Sequence, residues 1–94
     1  MRKAIEKDDQ NADAWNLLGF AARKSGDLER SAIAYTTALS LDPDHKGALE
    51  YQGELLIMLG DFDSAQKNLA RLKSLCPNGC AERNALEQAL AKAQ

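Results

Sequence analysis

The chain contains no valine, and isoleucine appears three times in 94 residues. Strands draw on β-branched side chains, so this scarcity leaves a sheet little to build on. Aromatic residues make up only 5% of the chain, against 45% hydrophobic residues dominated by Ala and Leu, a balance that suits helices packed through small side chains. The longest unbroken apolar run, Leu55 to Leu59, falls far short of the roughly 20 residues needed to cross a bilayer. Twelve basic and fourteen acidic residues leave a net charge of -2 with no Lys/Arg cluster, which argues against a surface that tracks nucleic-acid phosphates. The start, Met1 to Asp8, has the charge of a signal peptide but no apolar stretch behind it, so it does not read as a secretion signal. A chain of this length holds one domain with a modest core.

What is present is periodic. Gly19 and Gly53, Gly26 and Gly60, and Pro43 and Pro77 are each separated by 34 residues. That is the period of a helix-turn-helix unit whose copies stack to bury a shared core. In the first unit Ala14, Trp15, Leu18 and Ala22 recur at spacings of three and four, predicting one core face of a helix that starts near Asp13. Gly26 closes it in a left-handed conformation and Asp27 caps the next helix, carried by Leu28, Ala32, Tyr35, Ala38 and Leu39. Pro43 stops that helix by pushing its predecessor out of helical geometry. In the second unit Leu49, Gly53 and Leu56 form one face and Phe62, Ala65, Leu69 and Leu72 its partner, up to the break at Cys76 to Gly79.

At these residues the chain resembles the tetratricopeptide repeat family. Trp15, Leu18, Gly19, Gly26, Tyr35, Ala38 and Pro43 fit its pattern in the first copy, and Leu49, Gly53, Gly60, Ala65 and Pro77 in the second. The resemblance implies an all-α, right-handed stack of antiparallel helix-turn-helix repeats with a C-terminal capping helix. Its expected divisions are the tail of an incomplete repeat (1–11), two repeats (12–45 and 46–79) and a cap (80–94). Gly19 and Gly53 are expected to let the two helices within each unit approach closely. Ala22 replaces a bulky residue, Ser31 stands where Ala is usual, and Gln52 takes the place of Leu18's counterpart. Its amide must turn to the groove or find backbone partners.

Both ends follow from the same register. Ala4 and Ile5 lie 34 before Ala38 and Leu39, so the resemblance implies a start inside a repeat, whether naturally or by trimming. At the other end Ala81, Ala85, Leu86, Ala89, Leu90 and Ala93 form an apolar stripe. Glu87, standing 34 after Gly53, blocks a further close-packed helix and makes the last helix a solvating cap.

Cys76 and Cys80 bracket a tight turn where side chains four apart come within disulfide reach. A structural disulfide is the favoured reading, reduced buried thiols the alternative. A metal clip is disfavoured because His45 is the sole imidazole and belongs to the preceding loop. The spacing also differs from that of redox-active pairs. The turn and the charged helix after it are similar to the C-terminal region of small bacterial repeat proteins that carry an upstream export signal. A bonded pair therefore implies the periplasm, and free thiols the cytoplasm.

Asp42 to His45 and Asp61 to Asp63 read as helix stops and caps, and neither turn glycine belongs to a phosphate-cradling loop. The chain is expected to be neither an enzyme nor a cofactor or metal protein. By resemblance the first helix of each unit lines a concave groove, offering Asp13, Asn16, Phe20, Arg23 and Lys24, then Gly47, Glu50, Glu54, Ile57 and Met58. Phe20 is either a ligand anchor or a lid over the neighbouring helix, and Met58 is either groove or core. Members of the family that hold a terminal carboxylate do so with Lys and Asn. Phe20, Glu50 and Glu54 do not carry that ligand over. The function implied is a protein-interaction adaptor that holds a protein or peptide in the groove. The alternatives are homo-oligomeric assembly through exposed helical ends and, remotely, a thiol-active accessory protein.

Overall fold

The computed structural model describes residues 11–93, which form five helices: α1 (Ala12–Lys24), α2 (Leu28–Leu41), α3 (Lys46–Met58), α4 (Phe62–Leu75) and α5 (Ala81–Ala93). The readings placed on Ala4 and Ile5 lie outside the described residues. α1 pairs with α2 and α3 with α4 as antiparallel hairpins, while α5 packs on both α3 and α4. α1 and α2 each also touch α3, so α1, α3 and α5 make one layer and α2 and α4 the other.

Each helix end is written locally. Asn11 caps α1 by accepting from Asp13 N and Ala14 N, one residue earlier than the spacing suggests. Asp27 and Asp61 cap α2 and α4 by accepting from Arg30 N and Ser64 N. Gly26 and Gly60 sit at φ of 90° and 83°, and beyond them the Asp27 and Asp61 amides donate back to Ala22 O and Leu56 O at 2.8 Å. This is the left-handed closure that a side chain would strain.

The core runs through Leu49, Ala65, Leu69, Leu72, Leu86 and Leu90, with Leu39, Leu56, Ile57, Phe62 and Leu75 packed around it. Tyr35, Ala34, Ala38, Ala48 and Leu55 extend it towards the first hairpin. Removing that apolar surface from water is the main force holding the stack, at about 25 cal/mol per Å².

Three expectations change. First, α1 buries Asn16, Gly19 and Ala22, whereas Ala14 is exposed, Leu18 is 45% exposed and Trp15 is half-buried. Spacing finds an apolar stripe but not the neighbour that covers it, and among the described residues α1 has a stacked helix, α3, on one side only. Second, Gly19 faces its own unit, since a Cβ there would stand 2.6 Å from the Tyr35 ring, but Gly53 does not. A Cβ on Gly53 would meet Leu86 Cδ1 and Cδ2 of α5 at 2.7 Å. Gly53 thus seats the helix that follows its unit. Third, Gln52 Oε1 accepts from the Asn68 side chain at 2.9 Å, and Asn68 also donates to Leu49 O at 3.1 Å. Asn68 lies 34 after Ala34, so the two polar departures from the first copy answer each other. Of the two readings of Met58, groove or core, core is not met: the residue is 56% exposed.

Ser31 and Glu87 find direct explanations. Ser31 is fully buried and its hydroxyl donates to Gly19 O at 2.7 Å, tying α2 to the backbone of α1. Glu87 lies in solvent, 3.8 Å from Lys73, while Leu86 beside it enters the core.

Candidate functional site

The α1–α3–α5 layer gathers most of the residues expected to line a groove. Phe20 lies half-buried with its ring centroid 5.0 Å from that of Tyr51, an aromatic contact bridging α1 and α3 that spacing does not single out. Tyr51 is in turn 6.3 Å from Tyr35, so three rings run from the layer's surface into the core. Two cations stand over the outermost ring: the Arg23 guanidinium at 5.5 Å and Lys24 Nζ at 5.4 Å from the Phe20 centroid. Phe20 is therefore a lid on the neighbouring helix that keeps part of its ring in solvent.

Arg23 connects the units. Its Nη1 bonds Glu54 Oε1 at 3.3 Å, and its guanidinium lies 6.0 Å from the Tyr51 ring. The side chains of Arg23 and Glu54 are only 13% and 23% exposed, so this pair is shielded more than a surface ion pair. One turn earlier on α3, Glu50 shares a hydrogen bond with Glu54. Burial first, then the Glu54 contact and the negative charge of Glu54 and Glu82, push the Glu50 carboxyl up from 4.5 to about 8, with Arg23 opposing. Burial also raises the Tyr35 phenol, again against Arg23.

The remaining residues fall at the margins. Asn16 is buried, not displayed, and a Cβ on Gly47 would meet its Nδ2 at 2.9 Å, so Gly47 is the small residue that admits it. Its Oδ1 has no hydrogen-bond partner among the described residues. Asp13 is engaged by His45 Nε2. Because His45 Nδ1 accepts from Ala48 N at 3.0 Å as the cap of α3, its proton sits on Nε2 and is donated to Asp13. Ile57 packs against the core more than it faces the layer, while Met58 stays open.

At the end of the stack Cys76 and Cys80 stand at disulfide distance with their Cα atoms 5.9 Å apart. Cys76 is buried, Cys80 is half-buried, and Arg83 Nη1 donates to Cys76 O at 2.9 Å and Pro77 O at 3.3 Å. The Arg83 contact satisfies carbonyls left over at the end of α4, an arrangement that spacing does not reveal. Among the described residues, no three His, Cys, Asp or Glu side chains converge as metal ligands would. No described helix is long and apolar enough to cross a membrane. A surface dent on α2, lined by Ala32, Ile33, Thr36 and Thr37, brings together no charged group.

Comparison with known proteins agrees with this geometry. Residues 12–45 match the tetratricopeptide repeat family, from the first residue of α1 to the cap of α3. Over 88 residues, 94% of its length, the chain is 34% identical to Protein FlbA of Caulobacter vibrioides. It spans 15% of that protein's length. Residues 12–45 thus form a tetratricopeptide repeat within an all-helical stack, followed by a second helical hairpin offset by 34 residues.

Proposed function

We propose that the chain is a protein-interaction module that holds a peptide or protein segment on its α1–α3–α5 face. One observation carries this reading: the ring pair Phe20 and Tyr51, the Arg23–Glu54 bridge and Glu50 lie together on one layer, half-desolvated yet open at the surface. Partly buried charge is costly unless something uses it. Partly exposed aromatics with a charged rim suit a contact surface. The family supports a general interaction role, and the site offers no nucleophile–base pair that points to a reaction. The test is binding of a protein partner by variants of the two faces. Phe20→Ala with Glu54→Lys should weaken capture while helicity stays near that of the parent, and changes at Glu29 or Lys67 should not. Stronger losses from Glu29 or Lys67 would reject the groove.

A second reading rests on the exposed Leu17 and Leu18, 65% and 45% open on α1. Such a face supports self-assembly through helical ends. Sedimentation across a concentration series decides it, since self-assembly requires a mass that grows with concentration.

A further inference from the structure

We propose that Asn78 and Gly79 form a spontaneous modification site gated by the Cys76–Cys80 bond: with the bond closed the Asn78 side chain stays an amide, and after reduction the turn converts it to a carboxylate.

The chemistry needs only this dipeptide and water. The Gly79 backbone nitrogen gives its proton to solvent base and attacks Asn78 Cγ. A bond from that nitrogen to Cγ forms, the Cγ–Nδ2 bond breaks, and Nδ2 takes a proton and leaves as ammonia. Water then opens the cyclic imide. Breaking the newly formed bond leaves aspartate; breaking the original peptide bond leaves isoaspartate, with the main chain rerouted through the side chain. No oxidant or cofactor enters this step, and the departure of ammonia makes it one-way.

Three observations single out this site. First, among the asparagines of the chain Asn78 alone precedes a glycine, whose missing side chain leaves the attacking nitrogen uncovered. Asn78 is exposed in the turn between α4 and α5, and a Cβ on Gly79 would meet nothing within 4 Å. Asn16, Asn68 and Asn84 lie inside helices, where the amide that follows is fixed in the helical ladder, and Asn11 spends its Oδ1 on capping α1. Second, the nucleophile is restrained. Gly79, at φ of 98°, donates its N–H to Cys76 O at 2.9 Å. An amide committed to that carbonyl must leave it before it can lose its proton and turn on Asn78 Cγ. Third, the tie that keeps Cys76 and Gly79 together is removable. The two cysteines stand at disulfide distance across the turn, with Cα atoms 5.9 Å apart.

A thiol reductant supplies two electrons and two protons, becomes a disulfide itself and leaves two cysteine thiols. The turn then opens locally and frees the Gly79 amide, while Arg83, bonded to Cys76 O at 2.9 Å and Pro77 O at 3.3 Å, still holds the end of α4 to α5. The product carries a carboxylate just ahead of α5, where a helix N-terminus favours negative charge. Its isoaspartate form lengthens the main chain between the cysteines and so resists closing their bond again. This end of the stack thereby keeps a lasting record of having been reduced.

The experiment incubates the whole chain at one pH and temperature, with the bond intact or reduced by dithiothreitol, in water enriched in heavy oxygen. Peptide mass mapping locates every asparagine that has exchanged nitrogen for oxygen, and hydrogen exchange follows the Gly79 amide beside those of α4 and α5. The reduced chain should change at Asn78 roughly tenfold faster than the oxidised one, about what freeing one backbone hydrogen bond allows. Exchange at Gly79 should quicken with it while the helix amides stay protected. The double variant Cys76→Ala with Cys80→Ala should match the reduced rate without dithiothreitol, and Asn78→Gln should stay unmodified in both states. Should the double variant fail to fold, the two states of the parent chain still decide. Equal rates in the two states, or a faster oxidised chain, overturn the gating. Modification that spreads to Asn68 and Asn84 as the helix amides lose protection assigns the effect to unfolding and overturns it too. No change at Asn78 in either state overturns the site itself.

Discussion

Gly53 offers the sharpest test of how the stack is assembled. Its missing side chain makes room for Leu86, which is fully buried, and a Cβ would stand 2.7 Å from both Leu86 methyls and 3.2 Å from Cγ. Contacts that short force Leu86 or α5 to move, an overpacking cost of about 1 to 3 kcal/mol. Alanine returns about 0.5 to 1 kcal/mol of helix propensity. Gly53→Ala should therefore lose roughly 0.5 to 2 kcal/mol, a drop in melting temperature of about 4 to 8 °C per kcal/mol for a domain of this size. Leu86→Ala alone should cost about 2 to 5 kcal/mol. In that background the added methyl enters vacated space, so Gly53→Ala should become neutral or stabilising, a coupling of at least about 1 kcal/mol. Urea unfolding followed by helical circular dichroism measures all four proteins of the cycle. A parallel cycle with Leu69→Ala on α4 tests the alternative seating within the unit, and it should show little coupling. If relief appears with Leu69→Ala and not with Leu86→Ala, the packing of α5 described here is wrong.

Other outcomes follow from the same contacts. Gly19→Ala should cost more than Gly53→Ala, because its Cβ would stand 2.6 Å from the rigid Tyr35 ring, not a bendable leucine; thermal melts compare them, and equal loss would contradict the assignment. Between pH 4.5 and about 8 the folded state keeps a proton on Glu50 that the unfolded chain has released, so stability from this group falls as pH rises through that window. Each pKa unit is worth about 1.36 kcal/mol before discounting for the solvent that reaches this half-buried group, which leaves roughly 1 to 2 kcal/mol. Glu50→Gln should flatten the dependence and raise stability at pH 8; an unchanged pH profile by denaturant titration rejects this account of Glu50. We expect Cys76 and Cys80 to be bonded in protein made in an oxidising compartment, with reduction costing about 2 kcal/mol for so short a loop while the helices persist. Two free thiols by mass spectrometry in exported protein would refute that expectation.

The architecture was legible wherever a residue's own conformational needs decide the structure. Gly26, Gly60, Asp27, Asp61 and Pro43 act through a few neighbours, and they close or cap helices where the sequence predicts. Contacts between distant helices were not legible in the same way. Spacing marks Trp15 and Leu18 as an apolar stripe, yet cannot say that α3 takes the opposite side of α1. It marks Gly53 as a close approach, yet not to which helix. Spacing does not single out Tyr51, because its role depends on Phe20, 31 residues away. The Gln52–Asn68 bond was recoverable, since both positions turn polar where the first copy has Leu18 and Ala34. Within the candidate site, Phe20, Arg23, Glu50 and Glu54 lie on one layer, whereas Asn16 is buried beneath it because Gly47 leaves space for its amide.

The central claim is that a protein partner docks on the α1–α3–α5 face. Site-specific photo-crosslinking tests it most directly, with the reactive residue introduced in turn at Glu54, Met58, Glu29 and Lys67 and the covalent products of each compared in the native cell. Our account predicts one shared protein adduct from Glu54 and Met58, absent from Glu29 and Lys67 and lost when Phe20 is replaced by alanine. Adducts formed at Glu29 or Lys67 and missing from Glu54 and Met58 would place the partner on the opposite layer and contradict it.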